Sequence, residues 1–220
     1  MSARVGARPV EADASAGGNP ARERLIDAAS RLFCRFGINA VGVDTVVAEA
    51  GTAKATLYKA FGSKEKLVEA VLEREGLQWR DWFLKGLDRG DASPVERLQR
   101  IFPLLEEWFA QDRFYGCPFI NAIGEHDKAE DRLRAITIAH KTAVLGRIES
   151  LAREAGAADP NRLAHKLGLL IDGAIVVAMI TKDPGAAHLA AEAADSLFAA
   201  LKPGAGRRLA SEGRTEKGGF

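Results

Sequence analysis

A short polar segment carries the side chains best suited to binding an anion. Residues 51–61 read GTAKATLYKAF. Helical spacing puts Leu57 and Phe61 on one face, because residues four apart are neighbours on a helix. The remaining face then offers residue types that contact DNA phosphates and base edges, namely Thr52, Lys54, Thr56, Tyr58 and Lys59. The segment favours a DNA-reading helix. The alternatives are a solvated charged face and, for Tyr58, a place in the core.

Catalytic and metal-binding patterns are scarce in this sequence. It contains no GxGxxG, P-loop, HExxH or GxSxG motif. The four histidines have no metal-ligand spacing, so each is expected at the surface or at a helix end: His126, His140, His165 and His188. Cys117 with His126 is the one pair worth considering as nucleophile and base. We therefore expect no enzyme, no metal and no cofactor.

The net charge of the chain is close to zero, so the positive charge that DNA binding requires must be concentrated in one region. The chain has 220 residues, 47% hydrophobic and 28% charged, with a net charge of +1. Segment 22–66 holds an excess of three positive charges. Two separated cysteines make no disulfide framework, and the N-terminus has no apolar signal region, which fits a cytoplasmic protein. The most apolar run, 167–180, is interrupted by Asp172 and predicted to be too short for a membrane span.

Helical periodicity extends over nearly the whole chain, so the expected fold class is all-α. The first helix should end at Gly37 in a left-handed cap. Asp44 and Thr52 are the expected N-caps of two short helices, and Ser63 that of a long one. Later helices are predicted near 94–111, 118–126, 129–155, 160–182 and 186–201.

These elements suggest a domain division. We expect a helix-turn-helix DNA-binding domain at 20–66 and a helical ligand-binding and dimerisation domain at 67–202. Residues 1–19 and 203–220 show no periodicity and are predicted to be flexible tails.

Residues 22–72 resemble the N-terminal domain of TetR-type transcriptional regulators. The matching features are Phe36-Gly37, the Ala50-Gly51 turn, TLY at 56–58 and SKEKL at 63–67. The resemblance implies a homodimer that binds an operator in double-stranded DNA and a small-molecule effector. It also implies a set of DNA-contacting residues, carried over by position: Thr45, Thr52, Lys54, Thr56, Leu57, Tyr58, Lys59 and Lys64. Departures from the family pattern are Val47, Ala53 and Lys59.

The second half of the chain supplies candidates for an effector pocket. Large aromatics at helical spacing suit either a core or a pocket wall. The candidate ligand-binding residues are Trp82, Phe83, Trp108, Phe109, Cys117, Phe119, Asn121 and Met179. Cys117 precedes a predicted helix, where a thiol pKa can fall, so it is either a sensor or a small residue at a tight junction. Asn121 is either a pocket hydrogen-bonding residue or a helix cap, and Cys34 is expected in the core.

Segment 163–181 is apolar nearly all round. Such a helix must be buried on more than one side. The helices near 160–182 and 186–201 from two subunits would form a four-helix dimer interface, with Ala174 and Ala178 allowing close approach. Asp172 is either a pocket or interface group or faces solvent.

The sequence therefore predicts a ligand-responsive DNA-binding regulator, most typically a repressor released by a small apolar or amphipathic effector. The alternatives are an architectural DNA-binding protein without an effector and an all-α enzyme.

Overall fold

The computed structural model describes residues 19–127 and 131–201, so the predicted tails fall outside the described residues except for Asn19. Over those ranges every regular element is an α-helix, which confirms the all-α fold. The helices are α1 Pro20–Phe36, α2 Val43–Glu49, α3 Lys54–Phe61, α4 Lys64–Leu87, α5 Pro94–Gln99, α6 Ile101–Phe109, α7 Pro118–Glu125, α8 Asp131–Glu154, α9 Pro160–Thr181 and α10 Ala186–Ala199.

Side-chain capping explains where some helices begin. The Ser63 hydroxyl accepts a hydrogen bond from the Lys66 N–H at 3.2 Å, so the predicted cap of α4 is confirmed. The predicted caps Asp44 and Thr52 are wrong. Helix α2 begins after Gly42 and α3 after Ala53, and neither has a side-chain cap. The Asp44 carboxylate instead pairs with Lys54, and the buried Thr52 hydroxyl has no hydrogen-bond partner among the described residues.

The helix predicted over 94–111 is two helices, α5 and α6. Arg100 separates them, and Pro103 lies three residues later. Proline has no backbone N–H, so Pro103 cannot donate the helical bond to the carbonyl of Gln99. Ser93 and Glu96 form a capping box at the start of α5.

Helix α4 connects the two halves of the molecule. It packs on α1 and α3 in the first half of the chain and on α6, α7 and α8 in the second. Leu67, Val71, Phe83 and Leu87 are buried as the periodicity predicts, and Trp82 is partly buried. The predicted domain boundary after residue 66 falls inside this helix.

Helix α9 is strongly apolar. Its mean hydropathy reaches 1.8, and by length and composition alone its 22 residues could cross a membrane. The run 167–180, expected to be too short for a span, is thus part of a longer helix. Ala174 and Ala178, predicted at the subunit interface, are buried within the chain. The Asp172 carboxylate pairs with Lys141 of α8.

The loop between α6 and α7 depends on a glycine. Gly116 has a φ of 85°, and a Cβ there would collide with Met179 of α9. Gly90 has a φ of 67° with open space around it. We expect Gly116→Ala to destabilise the protein by about 1–3 kcal/mol more than Gly90→Ala, because it adds a packing clash to a similar backbone cost. Thermal unfolding of both variants checks this. Equal losses would mean that Met179 moves aside freely.

Candidate nucleic-acid interface and effector cavity

Helix α3 is held by its apolar face. Leu57 is completely buried at 0% exposure, and Phe61 is partly buried with the Arg22 guanidinium 5.1 Å from its ring centroid. Leu57 was predicted among the DNA contacts, and its burial corrects that. Its side chain anchors α3 and offers no surface to a ligand.

The opposite face of α3 is open to solvent. Tyr58 is 45% exposed, which rules out a place in the core, and Lys54 and Lys59 are exposed beside it. Thr45 in the first turn of α2 is also exposed, while Thr52 and Thr56 are half-buried. The structure thus brings an aromatic hydroxyl and two ammonium groups onto one surface.

An acid lies beside the start of α3. The Lys54 Nζ is 3.0 Å from the Asp44 Oδ1 of α2. The hydrogen bond and the negative charge of Asp44 raise the pKa of Lys54. Asp44 therefore competes with any phosphate or base edge for Lys54.

Several other basic residues of this region hold the domain together. The Arg24 Nε donates to the Ala50 carbonyl at 3.3 Å, and Arg31 pairs with Glu49 at 3.0 Å, so both fix the end of α2 on α1. Lys64 donates to the Ile38 carbonyl at 2.6 Å. The positive excess counted in the sequence is thus partly used within the fold.

Gly51 forms the turn between α2 and α3 for a conformational reason. Its φ is 59°, in the left-handed region, and a Cβ there would meet nothing within 4 Å. A close approach of α2 and α3 therefore does not explain this glycine. The backbone conformation of the turn requires it.

Three of the aromatic pocket candidates belong to a packed cluster. Trp79 stacks on Phe83 with centroids 4.6 Å apart and meets Trp108 edge-on at 5.4 Å. Trp82 lies 6.3 Å from Trp79. Rings at these distances fill space between helices. The sequence left open whether the aromatics form a core or a pocket wall, and Trp82, Phe83 and Trp108 belong to the core.

A buried histidine adjoins this cluster. His140 of α8 is 6% exposed, which corrects its expected place at the surface, and its ring stacks on Phe119 at 4.0 Å. The Arg80 Nη1 donates to its Nδ1 at 2.9 Å. Burial, and then the charges of Arg80 and Lys141, lower the pKa of His140 to about 3. The imidazole is therefore neutral at physiological pH.

A cavity of about 480 Å³ lies where α1 meets the second half of the chain. Of the candidate pocket residues, Phe109, Asn121 and Met179 line it, whereas Trp82, Phe83, Trp108, Cys117 and Phe119 do not. The wall also contains residues that sequence reasoning missed: Phe33, Cys34, Arg35, Gly37, Gln111, Asp112, Phe114, Tyr115, Glu125, Ala178 and Lys182. The segment 114–126, noted for its FYGCPFINAIGEH sequence, contributes Tyr115, Asn121 and Glu125.

The two thiols are unsuited to reactive roles. Cys117 precedes α7 as its N-cap, but it is 4% exposed and burial raises its pKa, which reverses the expected direction. Burial, and then the nearby Glu75, raise the pKa of Cys34 to about 12. A thiol that stays protonated is a poor nucleophile. Asn121 donates to the Tyr115 carbonyl at 3.0 Å and so braces the loop before α7.

Comparisons with known proteins decide the family. Residues 25–71 match the model of bacterial regulatory proteins of the tetR family, and residues 94–194 match a tetracyclin repressor-like C-terminal domain. The solved structure of a putative tetr-transcriptional regulator (sav143) from Streptomyces avermitilis is 31% identical, with a TM-score of 0.69, and covers 81% of this chain and 99% of that one. The chain belongs to the TetR family of transcriptional regulators.

Other TetR-family relatives span different shares of the chain. The regulator SCO4454 from Streptomyces coelicolor has a TM-score of 0.76 at 26% identity, over 83% of this chain and 96% of that one. The repressor KstR2 of Mycobacterium tuberculosis is 33% identical over 38% of this chain and 42% of its own length. The activator FasR of Mycolicibacterium smegmatis is 33% identical over 40% of this chain and 38% of its own. Both curated matches thus span less than half of the relative.

Membership of the TetR family makes this protein a DNA-binding transcriptional regulator and not an enzyme. Regulators of this family act on DNA operators as dimers, are typically responsive to small molecules, and are soluble, typically cytoplasmic proteins. The expected family and class of function are confirmed.

The ion pair on the TetR-family helix-turn-helix yields a test of its electrostatics. We expect Asp44→Asn to tighten DNA binding roughly fivefold at low salt, where surface charge interactions are least screened. The change frees Lys54 and removes a negative charge beside the exposed face of α3. Asp81→Asn is the matched control, since Asp81 is an exposed acid paired with Lys85 in α4. Equal affinities of the two variants would place Asp44 away from the phosphates.

Proposed function

We propose that the protein is a homodimeric repressor that reads an operator with α3 and is released by a small apolar or amphipathic effector. The observation that carries the proposal is the division of α3 into a fully buried anchor, Leu57, and an exposed face with Tyr58 and Lys59. A helix fixed in this way can enter the major groove as a rigid unit.

The DNA contacts are assigned by position on this surface. Tyr58 and Lys59 reach phosphates, and Lys54 and Thr56 approach base edges once Lys54 leaves Asp44. Thr45 offers its hydroxyl to a phosphate beside α2, and the half-buried Thr52 contributes through the turn. Lys64 reaches a phosphate only if its bond to the Ile38 carbonyl is given up.

The dimer interface is assigned to α9 and α10. From residue 169 onward, one exposed face of α9 is apolar or small: Leu169, Gly173, Val177 and Ile180. On α10, Leu189 is 66% exposed and is followed on the same side by Ala193 and Leu197. An apolar surface of this kind is stabilised when a second subunit covers it. A two-fold dimer would set two α3 helices about 34–36 Å apart over a pseudo-palindromic operator.

The effector site is assigned to the cavity beside α1. Its volume of about 480 Å³ suits a small molecule, because ligand sites span about 300–1,000 Å³. Phe109 and Met179 supply apolar wall, and Asn121 supplies polar wall. An architectural protein without an effector would not need this space. A ligand shifts the equilibrium between two protein conformations only if it binds one of them more tightly. The effector must therefore prefer the dimer conformation whose two α3 helices are misplaced for DNA binding.

Fluorescence anisotropy across a salt series tests the proposal. The purified protein is titrated with DNA from upstream of its own gene and with random DNA of equal length. We expect tighter binding to the upstream DNA, with an affinity that falls steeply with salt. Sedimentation of the complex should give two subunits per duplex. If the upstream DNA is bound no more tightly than random DNA, DNA is next selected from a random library for binding to the protein. Equal affinity for the selected and the random DNA would then refute operator recognition.

A further inference from the structure

A pair of hydrogen bonds ties the DNA-binding helices to the effector domain. The backbone N–H of Asn39 donates to the Glu125 Oε2 at 2.9 Å. The Asn39 Nδ2 donates to the Glu125 backbone carbonyl at 2.6 Å. Asn39 lies in the loop of residues 37–42 between α1 and α2, which we name the junction loop, and Glu125 is the last residue of α7. The two residues are 86 positions apart in the chain.

The junction loop is shaped to accept the Glu125 carboxylate. Gly37 has a φ of 86°, and a Cβ there would lie 3.0 Å from the Glu125 Oε2 and 3.1 Å from its Oε1. On its other side, the loop accepts the Lys64 Nζ at the Ile38 carbonyl. Hydrogen bonds thus hold the junction loop both to α7 of the effector domain and to the first residue of α4.

Glu125 also faces the cavity. It lines the cavity of about 480 Å³ together with Gly37 from the junction loop. Its Oε2 is occupied by Asn39, whereas no hydrogen bond within the described ranges occupies its Oε1. One carboxylate therefore touches both the proposed effector space and the loop that carries α2 and α3.

We propose that Glu125 is the positioning residue through which an effector in this cavity releases the junction loop and reorients the helix-turn-helix. The inference rests on the proposed function and deepens it by naming the coupling residue and the ligand chemistry. An effector that donates a hydrogen bond to the Glu125 Oε1 draws the carboxylate into the cavity and so away from the Asn39 N–H. The α1–α2–α3 unit then loses its fixed orientation on α7, and the two recognition helices lose their spacing.

The chemistry of the wall defines the ligand class. Phe109, Phe114 and Tyr115 provide an aromatic surface, and Glu125 provides a hydrogen-bond acceptor. The wall also carries the charged side chains of Arg35, Asp112 and Lys182. The aromatic surface and the Glu125 acceptor together fit a ligand with an aromatic body and a hydroxyl or amine donor. A ligand of the same shape without the donor should occupy the cavity and leave the loop in place.

A matched pair of probes tests this mechanism on the full-length protein. Operator affinity is measured by anisotropy without and with 2-naphthol, and then with 2-methoxynaphthalene, which lacks the donor. We expect 2-naphthol to weaken operator binding by the parent protein about tenfold, within the usual range of coupling between sites, and 2-methoxynaphthalene to do so less than twofold. Amide exchange at Asn39 should accelerate with 2-naphthol alone.

Variants separate coupling from folding. Glu125→Gln keeps a carbonyl oxygen for the Asn39 N–H but presents an N–H₂ group to the ligand, so its response to 2-naphthol should fall below about twofold. Asn39→Ala should lose the response as well. Glu107→Gln removes an exposed acid of α6 that does not line the cavity, and it should respond like the parent.

The outcomes distinguish the two proposals. A parent protein that shows no preference for its selected operator refutes the proposed function. A parent that binds the operator but ignores 2-naphthol, or a Glu125→Gln variant with the full response, overturns the role of Glu125. A response to 2-methoxynaphthalene equal to that of 2-naphthol overturns the hydrogen-bond competition.

Discussion

A variant carrying both Tyr58→Ala and Lys59→Ala should bind operator DNA on the order of 100-fold more weakly than the parent, since it removes two phosphate contacts from each recognition helix. Both side chains lie on the exposed face of α3, opposite the buried Leu57. The loss should extend to random DNA, because phosphate contacts carry no sequence information. The slope of log affinity against log salt should shrink by about one, for the one charge removed.

Stability measurements decide how that loss is interpreted. The thermal midpoint of the double variant should match the parent, because neither side chain is buried. Lys85→Ala removes an equal charge from the exposed surface of α4, far along the chain from α3, and should leave DNA affinity intact. A double variant that binds the operator as tightly as the parent would move the DNA-binding surface away from this face of α3.

The second large effect concerns the pH dependence of folding. Burial, and then the charges of Arg80 and Lys141, lower the pKa of His140 to about 3, whereas an unfolded histidine titrates near 6.5. Between these values the unfolded chain binds more protons than the folded one, so the free energy of unfolding rises with pH from about 3 to about 6.5. The stabilisation is complete above that window and is lost as the pH falls through it.

Removing the imidazole should therefore flatten the acid side of the stability profile. His140→Asn keeps a side-chain oxygen that can accept from Arg80, so it replaces the titrating group with a neutral acceptor. Between pH 7 and pH 5 the parent should lose about 2 kcal/mol more than His140→Asn, given about 1.4 kcal/mol per pH unit for one proton. Urea unfolding at a series of pH values measures the difference. A constant offset between the two profiles would show that His140 is accessible to protons in the folded state.

Several local features of the fold could be predicted from neighbouring residues. Ser63 caps α4, the bounds of α1 and α7 follow from apolar spacing and proline, and Leu57 packs inward as its spacing with Phe61 predicts. These outcomes depend on contacts within about one helical turn. The short motifs of residues 22–72 also identified the TetR family, because they combine a turn glycine with fixed anchor positions.

The sequence by itself determined the all-α class, most of the helices, the helix-turn-helix and the polar face of α3. The tertiary structure alone decided that His140 is buried beside Arg80, that the Cys117 pKa rises, and that Glu125 meets Asn39 across 86 residues of chain. It also decided which aromatics fill the core and which line the cavity. The physical reason is that desolvation, charge and hydrogen bonding act over a few ångströms of space, and chain folding sets those distances independently of separation in sequence.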